Sequence, residues 1–118
     1  MIRTSYYSKA ANISGFVKIG ISRTSPYLVP TIEELYPTWD IINEYKNSGD
    51  EERFIRRYKS EILSNTSIDA VMSKIRRICA QQHSYNVLLL CYEGKGKFCH
   101  RQVVAEWLRS AGYSVEEI

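Results

Sequence analysis

The sequence contains no apolar run long enough to cross a membrane. Its longest unbroken apolar stretch covers residues 87–92, whereas a membrane-spanning helix needs about 20 predominantly apolar residues. Residues 1–6 lack the apolar segment that a secretory signal peptide carries. We therefore expect a cytoplasmic protein that does not act at a membrane.

Cysteine is scarce, and neither sign of charge dominates. The chain has three cysteines, and an odd number without an export signal favours reduced thiols over a disulfide framework. Lys and Arg number 16 against 13 Asp and Glu, and the net charge of +3 accommodates an anionic ligand without requiring nucleic acid. This composition favours a soluble intracellular protein but identifies no reaction.

No low-complexity tract, internal repeat or linker divides the sequence. With 44% apolar residues in 118, the chain is too apolar for a disordered protein and large enough to bury a core. It is also too short for two domains of ordinary size. We expect one globular domain over residues 1–118.

Alternating apolar residues predict two strands near the start of the chain. These strands cover residues 2–7 and 16–21, where every second side chain suits one face of a sheet. The prolines and hydroxyl groups of residues 22–30 then predict a loop.

The middle of the chain predicts helices. Capping boxes that begin at Thr31 and Thr66 indicate two helix starts, and a further helix is expected from near Pro37 to Gly49. Apolar residues at helical spacing indicate the packed faces of two helices. They are Phe54, Ile55, Tyr58 and Ile62 in one, and Ile68, Val71, Met72, Ile75 and Cys79 in the other.

The last third of the chain predicts a strand, a helix and a strand. The continuous apolar run 87–91 is typical of a central strand that is covered on both faces. A glycine-punctuated loop at 93–97, a helix over 99–111 and a closing strand over 113–118 follow, which favours a right-handed βαβ unit. The predicted fold is α/β, a single mostly parallel sheet with helices packed on it in a Rossmann-like three-layer arrangement.

The loop after the central strand has the composition of an anion site. Ligands of open α/β sheets bind outside the carboxyl ends of the strands, where the next helix offers free N–H groups. Cys91 ends the strand, and Gly94 and Gly96 would let the backbone approach an anion. Positive charge comes from Lys95, Lys97 and Arg101. We expect a phosphorylated small molecule or a nucleotide to bind there.

Three residues beside this loop are candidates for chemistry. A thiol at a helix N-terminus next to His and Arg has a lowered pKa, so Cys99 is a candidate nucleophile or redox-sensitive thiolate. His100 would carry a proton, and Glu93 would be a second acid or base across the loop. The alternative is structural: Cys99 packs in the core and His100 bonds a nearby carbonyl.

A second loop carries a further candidate for anion binding. If the strand over 16–21 lies parallel to the strand over 87–91, Ser22 and Arg23 emerge at the same sheet edge as the first loop. Arg23 and Arg101 would then hold one anion between them. The alternative is an ion pair between Arg23 and Glu93 that ties the two loops together.

The sequence spacing does not predict a metal site. Cys91, Cys99 and His100 are potential zinc ligands, but adjacent Cys and His differ from the usual CxxC or HxxxH spacing. His83 is too weakly tied to them in sequence to count as a fourth ligand. We therefore expect no metal and no cofactor.

Basic residues on the predicted helix that follows Asp50 offer another possible surface. Arg53, Arg56 and Arg57 would contact nucleic-acid phosphates if they formed an open basic face. Acidic residues interleave with them, however, which favours a solvated helix face of mixed charge.

Two short segments, Leu-Cys-Tyr-Glu at 90–93 and Phe-Cys-His-Arg at 98–101, form the most specific pair of motifs in the chain. Through them the chain resembles the family called domain of unknown function 488. The resemblance covers nearly the whole chain. Its further matches are residues 4–8, 20–23, 45–46, 58–59, 104–108 and 112–117.

The resemblance implies a compact cytosolic α/β domain of bacterial, archaeal or phage type, but it supplies no reaction. Many relatives have an Asp-Val-Arg-like segment where this chain has residues 21–23, and a Gly-His-Ser-like segment where it has residues 6–8. An acid and a histidine of those relatives are therefore missing here. The matching site residues are Cys91, Glu93, Cys99, His100 and Arg101.

Three classes of function follow from the sequence. The first is binding of a phosphorylated small molecule or nucleotide at the C-terminal strand, loop and helix, with Cys/His-assisted chemistry. The second is nucleic-acid binding or processing by the basic helical face, and the third is a phage or bacterial interaction protein without catalysis. The sequence does not decide whether the protein is an enzyme, nor its oligomeric state.

Overall fold

A computed structural model describes residues 1–94 and 97–118 and contains a four-stranded sheet. The strands are β1 (Ile2–Tyr6), β2 (Val17–Gly20), β3 (Val87–Cys91) and β4 (Val115–Glu117), and their order is β2-β3-β1-β4. Each of the three pairings is parallel. The predicted α/β class with a single, mostly parallel sheet is therefore confirmed.

Five α-helices in the described part of the chain pack around the sheet. They are α1 (Tyr7–Ala10), α2 (Trp39–Ser48), α3 (Glu51–Arg57), α4 (Ile68–Gln82) and α5 (His100–Ser110). A π-helical segment, Tyr58–Ile62, continues α3, and short 3-10 turns occupy Glu33–Leu35 and Leu63–Asn65. None of the helices in residues 1–94 and 97–118 is both long and apolar enough to cross a membrane.

Side-chain caps mark the starts of α2, α3 and α4. The side chains of Thr38, Asp50 and Ser67 accept hydrogen bonds from backbone N–H groups in the first turns of α2, α3 and α4. At the other end of α2, Gly49 has a φ of 67°, a left-handed conformation that glycine adopts without steric cost. The glycine that ends α2 and the cap that begins α3 make them two separate, consecutive helices.

The predicted capping box at Thr31 is wrong. Thr31 instead forms a parallel bridge with Gly20, which extends the hydrogen bonding of β2, and the following 3-10 turn has no side-chain cap. The N-cap of that turn is Ile32, one residue later, and its apolar side chain cannot accept a hydrogen bond. The second predicted box is displaced by one residue, because Ser67 rather than Thr66 caps α4.

Strand β3 is buried on both faces, as its continuous apolar run predicts. On one face Val87, Leu89 and Cys91 join the large core formed with α2, α3, α4 and α5. On the other face Leu88 and Leu90 pack with α1 and with side chains of the loops around it. The sheet is thus the middle of three layers, and the outer layer that contains α1 is thin.

A close approach at Gly20 connects β2 to α1. A Cβ atom at Gly20 would lie 2.6 Å from the Tyr7 hydroxyl oxygen and 3.3 Å from a methyl carbon of Thr31. We expect Gly20→Ala to destabilise the protein by about 1–3 kcal/mol through overpacking, measured by urea denaturation. In the Tyr7→Phe background the same substitution should cost less, because the clashing oxygen is gone.

Gly94→Ala is the matched control, because a Cβ atom there would lie 3.9 Å from its nearest neighbour, a ring carbon of Tyr6. Equal losses of stability in Gly20→Ala and Gly94→Ala would contradict the proposed clash.

Candidate functional site

A cleft of about 850 Å³ opens at the carboxyl ends of β2 and β3. Six residues singled out from the sequence line it: Ser22, Arg23, Glu93, Lys97, Cys99 and His100. The remaining wall comes largely from α2 and the start of α3, which cover this edge of the sheet. Because β2 and β3 are parallel neighbours, the two candidate loops do emerge together.

Arg23 lies on the rim of the cleft. Its Nε donates a hydrogen bond to the carbonyl oxygen of Pro37 at 2.8 Å, and its guanidinium carbon lies 5.9 Å from the centre of the Trp39 ring. Arg23 and Glu93, both of which the structure describes, do not form the ion pair that was the alternative. Arg23 instead ties its loop to the start of α2 and stays exposed.

Aromatic side chains form much of the cleft wall. Tyr45, Phe54 and Phe98 contact one another with ring centres 5.2–5.5 Å apart. Trp39 and Tyr92 are more open, with 52% and 45% of their surfaces exposed. The cleft therefore offers flat apolar surfaces, two of which are accessible to a ligand.

Ser22 lies at the cleft but its hydroxyl is already engaged. Its Oγ donates to the carbonyl oxygen of Thr24 at 2.7 Å, so the Tyr7 hydroxyl, 2.7 Å away, donates to Ser22. Burial raises the pKa of the Tyr7 phenol, which keeps it protonated as this donor.

The imidazole of His100 is buried at the floor of the cleft, and one contact determines its tautomer. Nε2 lies 2.6 Å from the carbonyl oxygen of Ile21, and a carbonyl only accepts, so Nε2 carries the hydrogen. Burial, with a smaller contribution from the charge of Arg101, lowers the pKa of His100 to about 4. The ring is therefore neutral near pH 7, and its unprotonated Nδ1 lies 3.7 Å from Cys99 Sγ.

Cys91 and Cys99 meet beside this imidazole. Their sulfur atoms are in contact, and their Cα atoms are 7.1 Å apart. The two sulfurs and a ring nitrogen of His100 all lie within 4.8 Å of one another, and all three residues are buried. The fold thus brings together three potential metal ligands, although their spacing in the sequence does not indicate a metal site.

Arg101 lies away from the cleft, in the interior. Its guanidinium makes two parallel 2.8 Å hydrogen bonds to the carboxylate of Glu117. The remaining nitrogen, Nη1, lies 2.6 Å from the carbonyl oxygen of Glu93 and 3.3 Å from Cys91 Sγ. The side chain is 0% exposed, so the structure does not join Arg101 to Arg23 around a shared anion.

The glycine loop is only partly described. Gly94 is half-buried near Tyr6. Gly96, the other predicted backbone contact to an anion, lies outside the described residues, as does Lys95. Lys97, just after them, is exposed and lines the cleft.

The predicted basic face is largely neutralised by acidic neighbours. Arg53 forms an ion pair with Glu44. Arg57 pairs with Asp40, Glu44 and Glu61 at 2.7–2.9 Å, while Arg56 is exposed. These contacts favour a helix face of mixed charge over a continuous phosphate-binding surface.

Trp39, Lys46, Tyr92 and Phe98 line the cleft but were not among the site residues expected from the sequence. Trp39 could have been found only from a weak local signal: it is a large aromatic residue at the exposed start of a helix, two positions after Pro37. The others gain their significance only when α2 packs over the sheet edge.

A protein-family model matches most of the chain. The model of the family DUF488-N3a, described as the active DUF488-N3 subclade, matches residues 2–112. No curated protein and no solved structure shows significant similarity to the chain.

The buried Arg101 makes Glu117 important for stability. Glu117→Ala would leave a buried guanidinium without its carboxylate, which costs about 3 kcal/mol when water can reach part of the pair. We expect a melting temperature lower by about 10 °C, measured by calorimetry. Glu116→Ala removes an exposed neighbouring carboxylate and is the control; an equal loss there would contradict the role of the pair.

The same pair predicts a dependence of stability on pH. The hydrogen bonds from Arg101 hold the pKa of Glu117 below its ordinary value of 4.5. Its stabilising effect is therefore fully present above that value and is lost as the pH falls through the lowered pKa of the folded state. The difference in unfolding free energy between wild type and Glu117→Gln should shrink on acidification, and a difference independent of pH would contradict this account.

Proposed function

The chain belongs to the DUF488 family, and from that premise we propose that its cleft binds a phosphorylated small molecule, with a nucleotide as the best-fitting class. The observation that carries the proposal is the position of Arg23 beside Trp39 at the carboxyl ends of two parallel strands. At that edge the cation can bind a phosphate, and the exposed aromatic ring can stack on a flat ring system.

Charge and size support this ligand class. Three cationic side chains line the cleft, Arg23, Lys46 and Lys97, against the two carboxylates Glu51 and Glu93. Its volume of about 850 Å³ is within the range of about 300–1,000 Å³ for small-molecule sites. The local excess of positive charge favours an anion, and the aromatic wall favours a partly apolar one.

Cys99 and His100 extend the proposal from binding to chemistry. Both line the floor of the cleft, and Glu93 lies at its edge. A bound ligand would therefore meet a sulfur, a neutral imidazole and a carboxylate. The matching family is described as an active subclade, which supports an activity for this chain.

In this proposal Arg101 positions the site and does not bind the ligand. Its contacts with Glu117, Cys91 and the Glu93 carbonyl position the floor of the cleft from behind. We assign phosphate binding to Arg23, Lys46 and Lys97, and to Arg101 the positioning of the strand ends.

A thermal-shift screen tests the proposal. Reduced protein is melted with nucleotides, sugar phosphates, inorganic oxyanions and short oligonucleotides. A ligand present at about 100 times its Kd adds about 2.7 kcal/mol, which is several degrees for a protein of this size. We expect nucleotides to give the largest shift among the small molecules.

Two cleft variants and one control identify the site. Arg23→Ala removes a charge-assisted hydrogen bond and should weaken binding of the selected nucleotide about 10- to 100-fold. Trp39→Ala should weaken nucleotides more than inorganic phosphate. Arg56→Ala, outside the cleft and exposed, should leave the Kd unchanged.

Other outcomes would overturn the proposal. A shift with oligonucleotides alone that is lost in Arg56→Ala would favour nucleic-acid binding by the helical face. No shift with any small anion would favour an interaction protein. Both results would contradict a small-molecule cleft.

A further inference from the structure

We propose that the reduced protein binds one Zn²⁺ ion through Cys91, Cys99 and His100. Two thiol sulfurs and one imidazole nitrogen lie within 4.8 Å of one another, and each residue is less than 10% exposed. Sulfur and imidazole ligands select zinc over the hard cations Mg²⁺ and Ca²⁺. The ligand set therefore points to zinc.

The three ligands lie at the ends of regular elements of the fold. Cys91 is the last residue of the buried strand β3, Cys99 precedes the first turn of α5, and His100 begins that helix. The backbone N–H of Cys99 is held at 2.8 Å by the side-chain oxygen of Gln102. The site is thus set by a strand end and a capped helix start rather than by loop residues alone.

The hydrogen bond from His100 to Ile21 is an independent observation that favours a metal. Ligating histidines almost always donate their second ring N–H to a carboxylate, backbone carbonyl or water, which fixes the ring for coordination. Here Nε2–H donates to the Ile21 carbonyl at 2.6 Å. The unprotonated Nδ1 is then directed to the side of the ring where Cys99 Sγ lies, 3.7 Å away.

The backbone separation of the two cysteines suits a bridging ion, although the two sulfur atoms, which are in contact here, must move apart to bind it. Their Cα atoms are 7.1 Å apart, beyond the range of about 4.4–6.8 Å that is usual for a disulfide. Two Zn–S bonds of about 2.3 Å at a tetrahedral angle place the sulfurs about 3.8 Å apart. A zinc ion therefore spans the pair with less approach of the backbones than a direct sulfur–sulfur bond requires.

The charges also balance. Zn²⁺ replaces the two thiol protons, which pass to solvent, and the two resulting thiolates neutralise the ion. The guanidinium of Arg101, whose Nη1 lies 3.3 Å from Cys91 Sγ, stabilises that thiolate and is itself paired with Glu117. The imidazole completes the protein ligands as a neutral group.

Cys99 and His100 line the cleft, so a fourth ligand would reach the ion from that side. Catalytic zinc sites keep the fourth position for water or substrate, whereas structural sites are closed by a fourth protein ligand. Zinc there would act as a Lewis acid toward an oxygen of the bound ligand. That use rests on the proposed function of the cleft, but zinc binding itself does not.

Metal titration of the reduced, metal-stripped protein tests the site. We expect one equivalent of Zn²⁺ to be taken from a chromophoric chelator, with a rise in melting temperature. Co²⁺ should give a thiolate-to-cobalt charge-transfer band and the visible bands of a four-coordinate ion, both of which Zn²⁺ then displaces. These spectra require no variant, so they test the proposal even if a ligand variant fails to fold.

Matched variants locate the ion. Cys91→Ala, Cys99→Ala and His100→Gln should each lose the one-equivalent binding, while Cys79→Ala, which removes the buried cysteine of α4, should retain it. Arg23→Ala should retain zinc and lose affinity only for the phosphorylated ligand, which separates failure of this proposal from failure of the proposed function.

Three results would overturn the zinc site. They are the absence of a thiolate-to-cobalt band in folded, reduced wild type, retention of the band in both Cys91→Ala and Cys99→Ala, and its loss in Cys79→Ala. A stoichiometry of one ion per two chains would also contradict a site built within one chain.

Discussion

The buried guanidinium of Arg101 joins the carboxyl ends of three neighbouring strands. It binds Glu117 at the end of β4, contacts Cys91 at the end of β3, and lies 5.7 Å from the ring centre of Tyr6 at the end of β1. Because a buried charge must keep its partners, these contacts couple the strand ends to the first turn of α5. The positions of Cys99 and His100 follow from that coupling.

Parallel pairing explains why the candidate site lies at one edge of the sheet. The carboxyl ends of β2 and β3 emerge side by side, and the Ile21 carbonyl after β2 meets His100 at the start of α5. Helix α2 then covers this edge and contributes Trp39, Tyr45 and Lys46 to the wall. A single cleft is thus assembled from three segments that are distant in the chain, and the groups proposed to bind phosphate and zinc lie in adjacent parts of it.

Local patterns predicted the elements better than they predicted their contacts. The apolar run at Val87–Cys91 indicated a central strand because both faces of such a strand must be apolar, and the structure buries every residue of it. Thr31 is not the helix cap because the following turn begins after Ile32. Thr31 instead bridges Gly20, a long-range contact that a capping pattern does not contain. Arg101 was expected at the ligand, yet its partner is Glu117, from a strand that is reached only after α5.

The sequence by itself determined the α/β class, the central strand and the two loops whose residues meet at the cleft, because each depends on periodicity and turn chemistry within a short window. Only the tertiary structure decided that Cys91, Cys99 and His100 share one buried cluster, that Arg101 supports the site from within, and that α2 supplies the aromatic wall. The physical reason is that these relations depend on side-chain direction and on the packing of distant elements, which residue spacing along the chain does not contain.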